Sequence, residues 1–306
     1  MSVRDPRGLR AGVASGFIAY VLWGLFPLYW GFLEPATPYE VLAARMVFAL
    51  ATLAVLVTVV RQWDLVGGVL RDRRSRRILF LAAVVVSVNW GVFIWAVAHD
   101  LVVDASLGYF INPLVSVAMG VLVLKERLRA LQWTAVGIAA VAVLYATLSL
   151  GRLPWVALVL AFSFGTYGLA KKLAGVDAIP SLTVETMYMT PFALAYLGWL
   201  WAQGTLAFGA NGLGHALLMV GAGPVTALPL LFFGFAAHRV PLSVLGPLQY
   251  VAPSLQLAIG VWWLGEPMST HRWLGFVGVW IALVVFTADA VRHARSNGRE
   301  VPVEDL

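Results

Sequence analysis

Long runs of apolar residues, separated by short polar segments, make up most of this chain. Within the runs the apolar positions are continuous and do not alternate with polar ones, which favours membrane helices over the strands of a barrel. Each run approaches the roughly 20 residues with which a helix crosses a hydrocarbon layer about 30 Å thick. We predict ten membrane-spanning helices, near residues 11–31, 38–60, 78–98, 105–124, 131–150, 154–171, 180–202, 213–236, 241–264 and 273–291.

The composition agrees with a chain that lies within a membrane. Of the 306 residues, 61% are hydrophobic and 12% are charged, whereas about a quarter of the residues in a soluble domain are charged. The ten runs use nearly the whole chain, so no soluble domain is expected beside them. The sequence contains no cysteine, which excludes disulfides and thiolate metal sites, and we expect neither a metal nor a cofactor.

The lysine and arginine residues predict the orientation of the chain. A formal net charge of +6 would suggest nucleic acid as the partner of a soluble protein, but in membrane proteins basic residues collect in cytoplasmic loops. With the N-terminus in the cytoplasm, all of the 21 Lys and Arg residues except Arg45, Arg152 and Arg272 fall in or beside cytoplasmic segments. This distribution predicts a multi-pass protein of the cell membrane with both termini cytoplasmic, in contact with the lipid bilayer and not with nucleic acid.

The second half of the sequence repeats features of the first half. At a shift of 140 residues the matched pairs are Pro113 with Pro253, Ala118 with Ala258, Gly120 with Gly260, Leu124 with Leu264, Glu126 with Glu266, and Trp133 with Trp273. Each unit holds five spans, an odd number, so the second unit enters the membrane from the opposite side. We predict an all-α polytopic membrane protein of ten transmembrane helices in two inverted five-helix repeats, residues 1–150 and residues 151–306, the latter with a short cytoplasmic tail.

Several motifs within residues 10–290 are those of a known family. They are Trp23-Gly24, Asn89-Trp90-x-x-Phe93-x-Trp95-Ala96, the block from Ala105 to Leu114, Lys125-Glu126-Arg127, Ala161-Phe162-Ser163-Phe164, Glu185-Thr186-Met187 and Gly265-Glu266-Pro267. On these residues the chain resembles the EamA branch of the drug/metabolite transporter superfamily, and within it the RarD permeases. The resemblance implies that spans one to four and six to nine surround a cavity. Spans five and ten would then pack behind it, where a homodimer contact is a further expectation.

Polar and aromatic residues within the spans are candidates for substrate binding. Tyr109, Asn112 and Ser116 share one helix face, and the repeat counterparts of Tyr109 and Ser116 are Gln249 and Gln256. This pattern predicts a substrate-facing stripe on spans four and nine; the alternative is interhelical hydrogen bonding at about 0.6 kcal/mol each, which is favoured for Ser116 and Gln256. The candidate substrate-binding residues are Trp23, Asn89, Trp95, Tyr109, Asn112, Gln249 and Tyr250.

Charged and proline residues within the spans are candidates for gating or coupling. Arg45 and its repeat counterpart Glu185 lie inside spans two and seven, where a charge is costly and is expected to be functional. Each could gate one end of the cavity, and Glu185 could carry a coupling proton; the alternatives are snorkelling or a structural ion pair such as Arg45 with Glu40. Pro113 and Pro253 predict matched hinges or, alternatively, static kinks.

The recurrence of Glu126 and Glu266 after spans four and nine indicates a role in a turn or a helix cap. The motifs and the repeat together predict a secondary active transporter of small organic solutes that works by alternating access. The sequence lacks a Gly-x4-Gly-Lys-Ser/Thr loop, so the energy source expected is a coupling proton or a counter-solute. A passive channel or a solute-sensing receptor remains the alternative. An intramembrane enzyme is less favoured because the His-Glu-x-x-His and Gly-x-Ser-x-Gly motifs are absent, so we predict that the chain is not an enzyme.

Overall fold

A computed structural model describes residues 6–99, 102–148, 154–263 and 270–297. Within these ranges the regular elements are helices: α1 (Pro6–Gly24), α2 (Phe26–Trp30), α3 (Pro38–Val59), α4 (Trp63–Arg71), α5 (Arg73–Ala98), α6 (Val102–Leu122), α7 (Ala130–Leu148), α8 (Trp155–Ala174), α9 (Ala178–Ala202), α10 (Gly212–Arg239), α11 (Leu242–Leu248), α12 (Val251–Ala258) and α13 (Thr270–Asn297). A 3-10 helix, Gly31–Leu33, follows α2, and a π-helical turn, Ile259–Trp263, follows α12. The prediction of an all-helical chain is confirmed for these ranges.

The length and apolar character of the helices fit a membrane protein. Among the described residues, four segments are long and apolar enough to cross a bilayer by these criteria: Pro38–Val59, Arg73–Ala96, Trp155–Ala174 and Gly212–Arg239. Shorter apolar stretches lie at Leu107–Leu122, Ala130–Tyr145 and Trp280–Asp289. Many large apolar side chains are exposed on the outside of the bundle, Phe192 and Leu148 among them, which is the arrangement expected when lipid is the solvent.

The helices pack in corresponding pairs along the chain. Helix α8 packs against α5 and α6, and helix α1 packs in the same way against α10 and the α11–α12 segment. Helix α3 contacts α10, and α5 contacts α9. Three further contacts each join one helix from the first half of the chain to one from the second: α3 with α9, α6 with α11 and α7 with α13. The core between α1, α8 and α10 contains large aromatic side chains, including Tyr20, Tyr167 and Phe233.

Close helix packing depends on small residues at several contacts in this bundle, and Gly223 and Gly246 are two examples. A Cβ atom added to Gly223 of α10 would overlap the carbonyl group of Phe48 of α3 and lie 2.7 Å from the Phe48 Cβ. A Cβ atom added to Gly246 of α11 would lie 2.8 Å from the carbonyl oxygen of Pro113 of α6. These glycines let the backbones approach closely, as small residues commonly do between membrane helices.

The first predicted span is interrupted. It was expected as one helix over 11–31, but α1 ends at Gly24 and α2 begins at Phe26. Pro27 lies in the first turn of α2, a position that tolerates the missing N–H of proline but not the continuation of a preceding helix. The chain then turns through Gly31–Leu33 toward α3, whose first turn is capped by Thr37 accepting a hydrogen bond from the Glu40 backbone N–H at 3.3 Å.

Helix α4 lies in the loop between spans two and three and was not predicted. It is amphipathic: Val66 and Val69 are buried, whereas Trp63 is 47% exposed, and α4 packs against α9 and α5. Asp72 then caps α5 by accepting a hydrogen bond from the Ser75 backbone N–H at 2.8 Å. Hydrogen bonds from Ser75 hold the pKa of the Asp72 carboxyl below its usual range.

Candidate functional site

The ninth predicted span is broken in the middle of the bundle. Helix α11 ends at Leu248 and α12 begins at Val251, with Gln249 and Tyr250 between them. The Gln249 and Tyr250 amides bond three residues back, to the carbonyls of Gly246 and Pro247 at 2.9 and 3.2 Å. Pro253 has no N–H to donate to the Gln249 carbonyl, so the ordinary helical hydrogen bond is absent at this point. Both residues of the break are buried, with Gln249 5% and Tyr250 3% exposed.

Buried polar atoms without hydrogen-bond partners surround this break. Gln249 Nε2 donates to Ser116 Oγ at 2.7 Å, but Gln249 Oε1 is buried and unpaired. The Asn112 Oδ1 is likewise buried without a partner. The Tyr20 hydroxyl of α1 lies near Gln249 without a hydrogen bond of good geometry. Unpaired buried polar groups are costly, and their convergence from α1, α6 and the break is a feature of ligand sites.

The remaining polar side chains of spans four and nine hold helices together. The Tyr250 hydroxyl donates to the Phe110 carbonyl at 3.1 Å, and Gln256 Nε2 donates to the Trp23 carbonyl at 3.2 Å. Tyr109, in contrast, is 36% exposed and its ring packs against Phe93 with centroids 6.0 Å apart. The Gln249 amide is therefore joined to α6 through Ser116, and the Tyr250 hydroxyl is used in packing. Asn112 is buried in α6 with its side-chain oxygen unpaired, and Tyr109 lies on a more open face of that helix.

An aromatic cluster lies beside this region. The Trp23 ring has centroid distances of 5.4 Å to Tyr20, 5.7 Å to Phe164 and 5.7 Å to Phe233. Phe233 is stacked on Tyr167, with centroids 5.7 Å apart. Trp23 is only partly buried, so its ring can contact both this cluster and a solute.

Asn89 and Trp95 face helix α8. Asn89 Nδ2 donates to the Leu160 carbonyl at 2.9 Å and to Ser163 Oγ at 3.0 Å. The Trp95 ring lies 5.2 Å from Trp155 and is stacked on His99 at 4.2 Å. Both predicted site residues thus take part in packing between α5 and α8 and are not grouped with the Gln249 break.

Arg45 occupies a different part of the bundle, near the start of α3. Its guanidinium carbon lies 4.2 Å from the Trp90 ring centroid and 5.7 Å from that of Trp30, both within cation–π range. The ion pair with Glu40, given above as an alternative interpretation of Arg45, is not formed. Glu40 Oε1 instead accepts hydrogen bonds from the backbone amides of Ala207 and Phe208, both at 2.9 Å.

Glu185 belongs to a buried network that also contains a lysine. Lys171 Nζ donates to Glu185 Oε1 at 2.7 Å and to Ser181 Oγ at 2.6 Å. Ser181 Oγ donates to the same carboxylate oxygen at 2.8 Å, and the Tyr167 hydroxyl donates to Glu185 Oε2 at 3.0 Å. The Lys171 and Glu185 side chains are 2% and 1% exposed. Sequence reasoning missed Lys171 because it was counted among the basic residues of a cytoplasmic loop.

Glu126 joins three helices at the same end of the bundle. Its carboxylate accepts hydrogen bonds from the Leu242 and Ser243 backbone amides, at 3.0 and 2.9 Å, and so caps α11. Lys172 Nζ of α8 lies 3.8 Å from Glu126 Oε1 and donates to the Val240 carbonyl at 2.5 Å. The capping role inferred from the recurrence of Glu126 is therefore present, although the capped helix belongs to the other half of the chain. Its counterpart Glu266 lies outside the described residues.

We expect Glu126→Gln to lower the free energy of unfolding by about 1–2 kcal/mol, because two hydrogen bonds to a carboxylate become one good bond to an amide oxygen and a poorer contact. The measurement is equilibrium SDS unfolding in dodecylmaltoside micelles. Glu34→Gln, at an exposed position, is the matched control and should change the free energy by less than about 0.5 kcal/mol. Equal effects of the two substitutions would contradict the capping role.

The two predicted hinge prolines differ in their surroundings. Pro113 lies within the continuous helix α6, whereas Pro253 lies in the first turn of α12, just after the break. The helix is therefore continuous at Pro113 and interrupted just before Pro253.

Comparison with known proteins places the chain in a class. The EamA-like transporter family matches residues 10–148 and again residues 153–288. Protein RarD of Streptomyces exfoliatus is 53% identical, over 94% of this chain and 91% of that protein. An uncharacterized transporter, YojE, of Bacillus subtilis (strain 168) is 42% identical, over 94% of this chain and 97% of that protein. Protein RarD of Escherichia coli (strain K12) is 37% identical, over 96% and 100%.

One solved crystal structure has the same fold. It is similar over 92% of this chain and 98% of that chain, with a TM-score of 0.66 at 17% sequence identity. The family match and the relatives named above define a membrane transporter. Within that class the chain belongs to the EamA-like transporter family, and its relatives make it a RarD-like permease.

Proposed function

We propose that the protein is a secondary active transporter that moves small organic solutes by alternating access. The observation that carries this proposal is the break at Gln249–Tyr250, which lies beside the unpaired polar atoms of Asn112, Gln249 and Tyr20. Interrupted helices near the middle of a membrane bundle supply backbone and side-chain groups for solutes in secondary transporters. The solute lies between α1, α6 and the α11–α12 segment, with Trp23 along one side.

The proposed layout is ten spans in two inverted five-helix repeats, with both termini cytoplasmic. Two observations support it. The family matches the chain twice in succession, over 10–148 and 153–288. The helix contacts come in corresponding pairs, such as α8 with α6 and α1 with the α11–α12 segment. An inverted relation lets the halves exchange conformations, which opens the central site to each side in turn.

The two ends of the bundle are held by different contacts. Near Glu126, the Glu126 cap and Lys172 join the ends of α6, α8 and α11, and the Lys171–Glu185 pair joins α8 to α9. Arg45 and Tyr109 lie toward the other end. Tyr109 is about 17 Å along α6 by helical rise from Gly120, whose carbonyl accepts a hydrogen bond from the Glu126 amide at 3.0 Å. The second end is also joined across the halves, by the Tyr29 hydroxyl donating to the Leu218 carbonyl at 2.6 Å and by the Ala207 and Phe208 amides donating to Glu40 at 2.9 Å.

Trans-stimulated efflux from proteoliposomes tests the proposal. Vesicles are loaded with an isotope-labelled mixture of the proteinogenic amino acids, short monocarboxylates and nucleosides, and efflux is followed by mass spectrometry. A transporter releases at least one solute several-fold faster when the unlabelled solute is present outside. Efflux that ignores the outside solute would indicate a channel. A change in solute mass would indicate an enzyme, and either result contradicts the proposal.

A further inference from the structure

Arg45 is a partly buried cation without a counter-ion in the described part of the chain. It lies about two turns into α3, and its Nε atom is buried without a hydrogen-bond partner. Among the described residues no carboxylate forms a salt bridge with it, since Glu40 is bound to Ala207 and Phe208. A guanidinium at this depth is costly unless an anion compensates its charge. The unused donor capacity of Arg45 therefore calls for a negatively charged partner.

The proposed repeat makes the missing partner conspicuous. The counterpart of Arg45 at a shift of 140 residues is Glu185, which is paired with Lys171 and receives two further hydrogen bonds. In the first half the guanidinium has the faces of Trp30 and Trp90 instead of an opposite charge. Aromatic faces stabilise a cation but accept none of its N–H donors in the plane of the group. One half thus contains a complete ion pair, whereas the other contains only the cation.

The surroundings of Arg45 define the shape of the anion that would bind. Trp90 and Trp30 restrict the guanidinium, and its planar edge suits a bidentate carboxylate. Beside it, Tyr109 is 36% exposed and packs on Phe93, which offers aromatic surface for an apolar body. Trp90 packs against the same core cluster as Trp23, so a solute that reaches from Arg45 toward the break lies against aromatic rings.

We propose that Arg45 binds the carboxylate of a small organic monoanion with an apolar or aromatic body, and that such monocarboxylates are the solutes carried. This inference rests on the proposed function, because it names the chemical class of solute that the proposed transporter carries. Arg45 then acts as a binding residue, and Trp30 and Trp90 are positioning residues that orient its guanidinium.

Ligand-dependent thermal stabilisation of the purified protein tests the assignment. The probes are phenylacetate, phenylacetamide and phenethylamine, which share a ring and differ in charge, with isovalerate and isovaleramide as an aliphatic pair. A ligand that binds the folded state raises the melting temperature. We expect stabilisation by the two carboxylates and not by the amides or the amine. We expect Arg45→Met to weaken the apparent carboxylate affinity by about 10- to 100-fold.

Three further variants keep the test decisive. Arg77→Met removes an exposed arginine and should leave carboxylate binding unchanged. Arg45→Lys retains the charge without the planar fork and should lose only part of the affinity. If Arg45→Met does not fold, Arg45→Lys and Trp90→Leu take its place, and each should weaken carboxylate binding without creating amide binding.

The opposing results are distinct from a failure of transport. Equal stabilisation by phenylacetate and phenylacetamide, no stabilisation by either carboxylate, or carboxylate binding that survives Arg45→Met would each overturn the assignment. So would stabilisation through Arg45 by phosphatidylglycerol alone, which would make the anion a lipid phosphate. Trans-stimulated efflux of uncharged solutes only would retain the transporter and remove this role of Arg45. Carboxylate binding without trans-stimulation would retain the site and contradict transport.

Discussion

Lys171→Met is expected to lower the free energy of unfolding by about 3–5 kcal/mol, the usual cost of leaving one member of a buried ion pair alone. The substitution removes the donor that lies 2.7 Å from Glu185 Oε1 and leaves a carboxylate that is 1% exposed. Ser181 and Tyr167 still donate to it, but two neutral hydroxyl groups do not neutralise its charge. Equilibrium SDS unfolding in dodecylmaltoside micelles measures the change.

The double variant Lys171→Met/Glu185→Met separates pairing from packing. Replacing both charges with apolar groups of similar volume is often close to neutral, so it should recover most of the stability that Lys171→Met loses. Lys125→Met, in an exposed position, should change the free energy by less than about 0.5 kcal/mol. A double variant as unstable as Lys171→Met, or a single variant no worse than Lys125→Met, would show that the pair is not the stabilising unit.

Gly223→Ala is expected to lower the free energy of unfolding by about 3 kcal/mol, at the upper end of the usual cost of overpacking. The new methyl group would overlap the Phe48 carbonyl, and a backbone cannot move aside as the end of a flexible side chain can. The α3–α10 contact must therefore widen along its length. The same SDS titration measures the loss of stability. A wider separation of α3 and α10 should also raise the rate at which a maleimide labels a cysteine substituted for Phe48.

Gly198→Ala is the matched control for that substitution. Gly198 lies within α9, and a Cβ atom there would meet no other atom within 4 Å. Alanine is the better helix former by about 0.5–1 kcal/mol, so this variant should be neutral or slightly more stable. Equal destabilisation by Gly223→Ala and Gly198→Ala would contradict the close approach of α3 and α10.

The helical elements could be predicted from hydrophobic runs alone, because each run is long and continuous enough to leave no alternative. The interruptions were harder. The break after Gly24 and the one at Gln249–Tyr250 depend on Pro27 and Pro253, yet Pro113 lies within a helix that continues. A proline alone does not decide between a kink and a break, because neighbouring helices can support either backbone. Helix α4 was missed because it has only nine residues, too few to cross a membrane, and lies beside an arginine-rich segment.

The candidate site was predictable only in part, for a physical reason. A sequence identifies polar residues within spans but not their partners, and partners decide whether a group is structural. Asn89 is bound by Leu160 and Ser163, whereas Asn112 has an unpaired oxygen. Likewise Glu185 has Lys171 beside it, and Arg45 has only aromatic rings. The repeat aligned Arg45 with Glu185, but three-dimensional contacts were needed to show that Glu185 has an oppositely charged partner and that Arg45 has none among the described residues.

Two-sided labelling of Asn112→Cys tests alternating access most directly, and the chain contains no other cysteine. A membrane-impermeant maleimide is applied to each face of the membrane, with and without the additional substitution Glu126→Ala, which loosens one end. Each molecule is open to one face or to the other, so a shift toward one conformation must lower the population of the other. The account predicts labelling from both faces, with Glu126→Ala raising the rate from the Glu126 side and lowering it from the opposite side. Faster labelling from the Glu126 side with an unchanged rate from the other, or labelling from one face only, would contradict it.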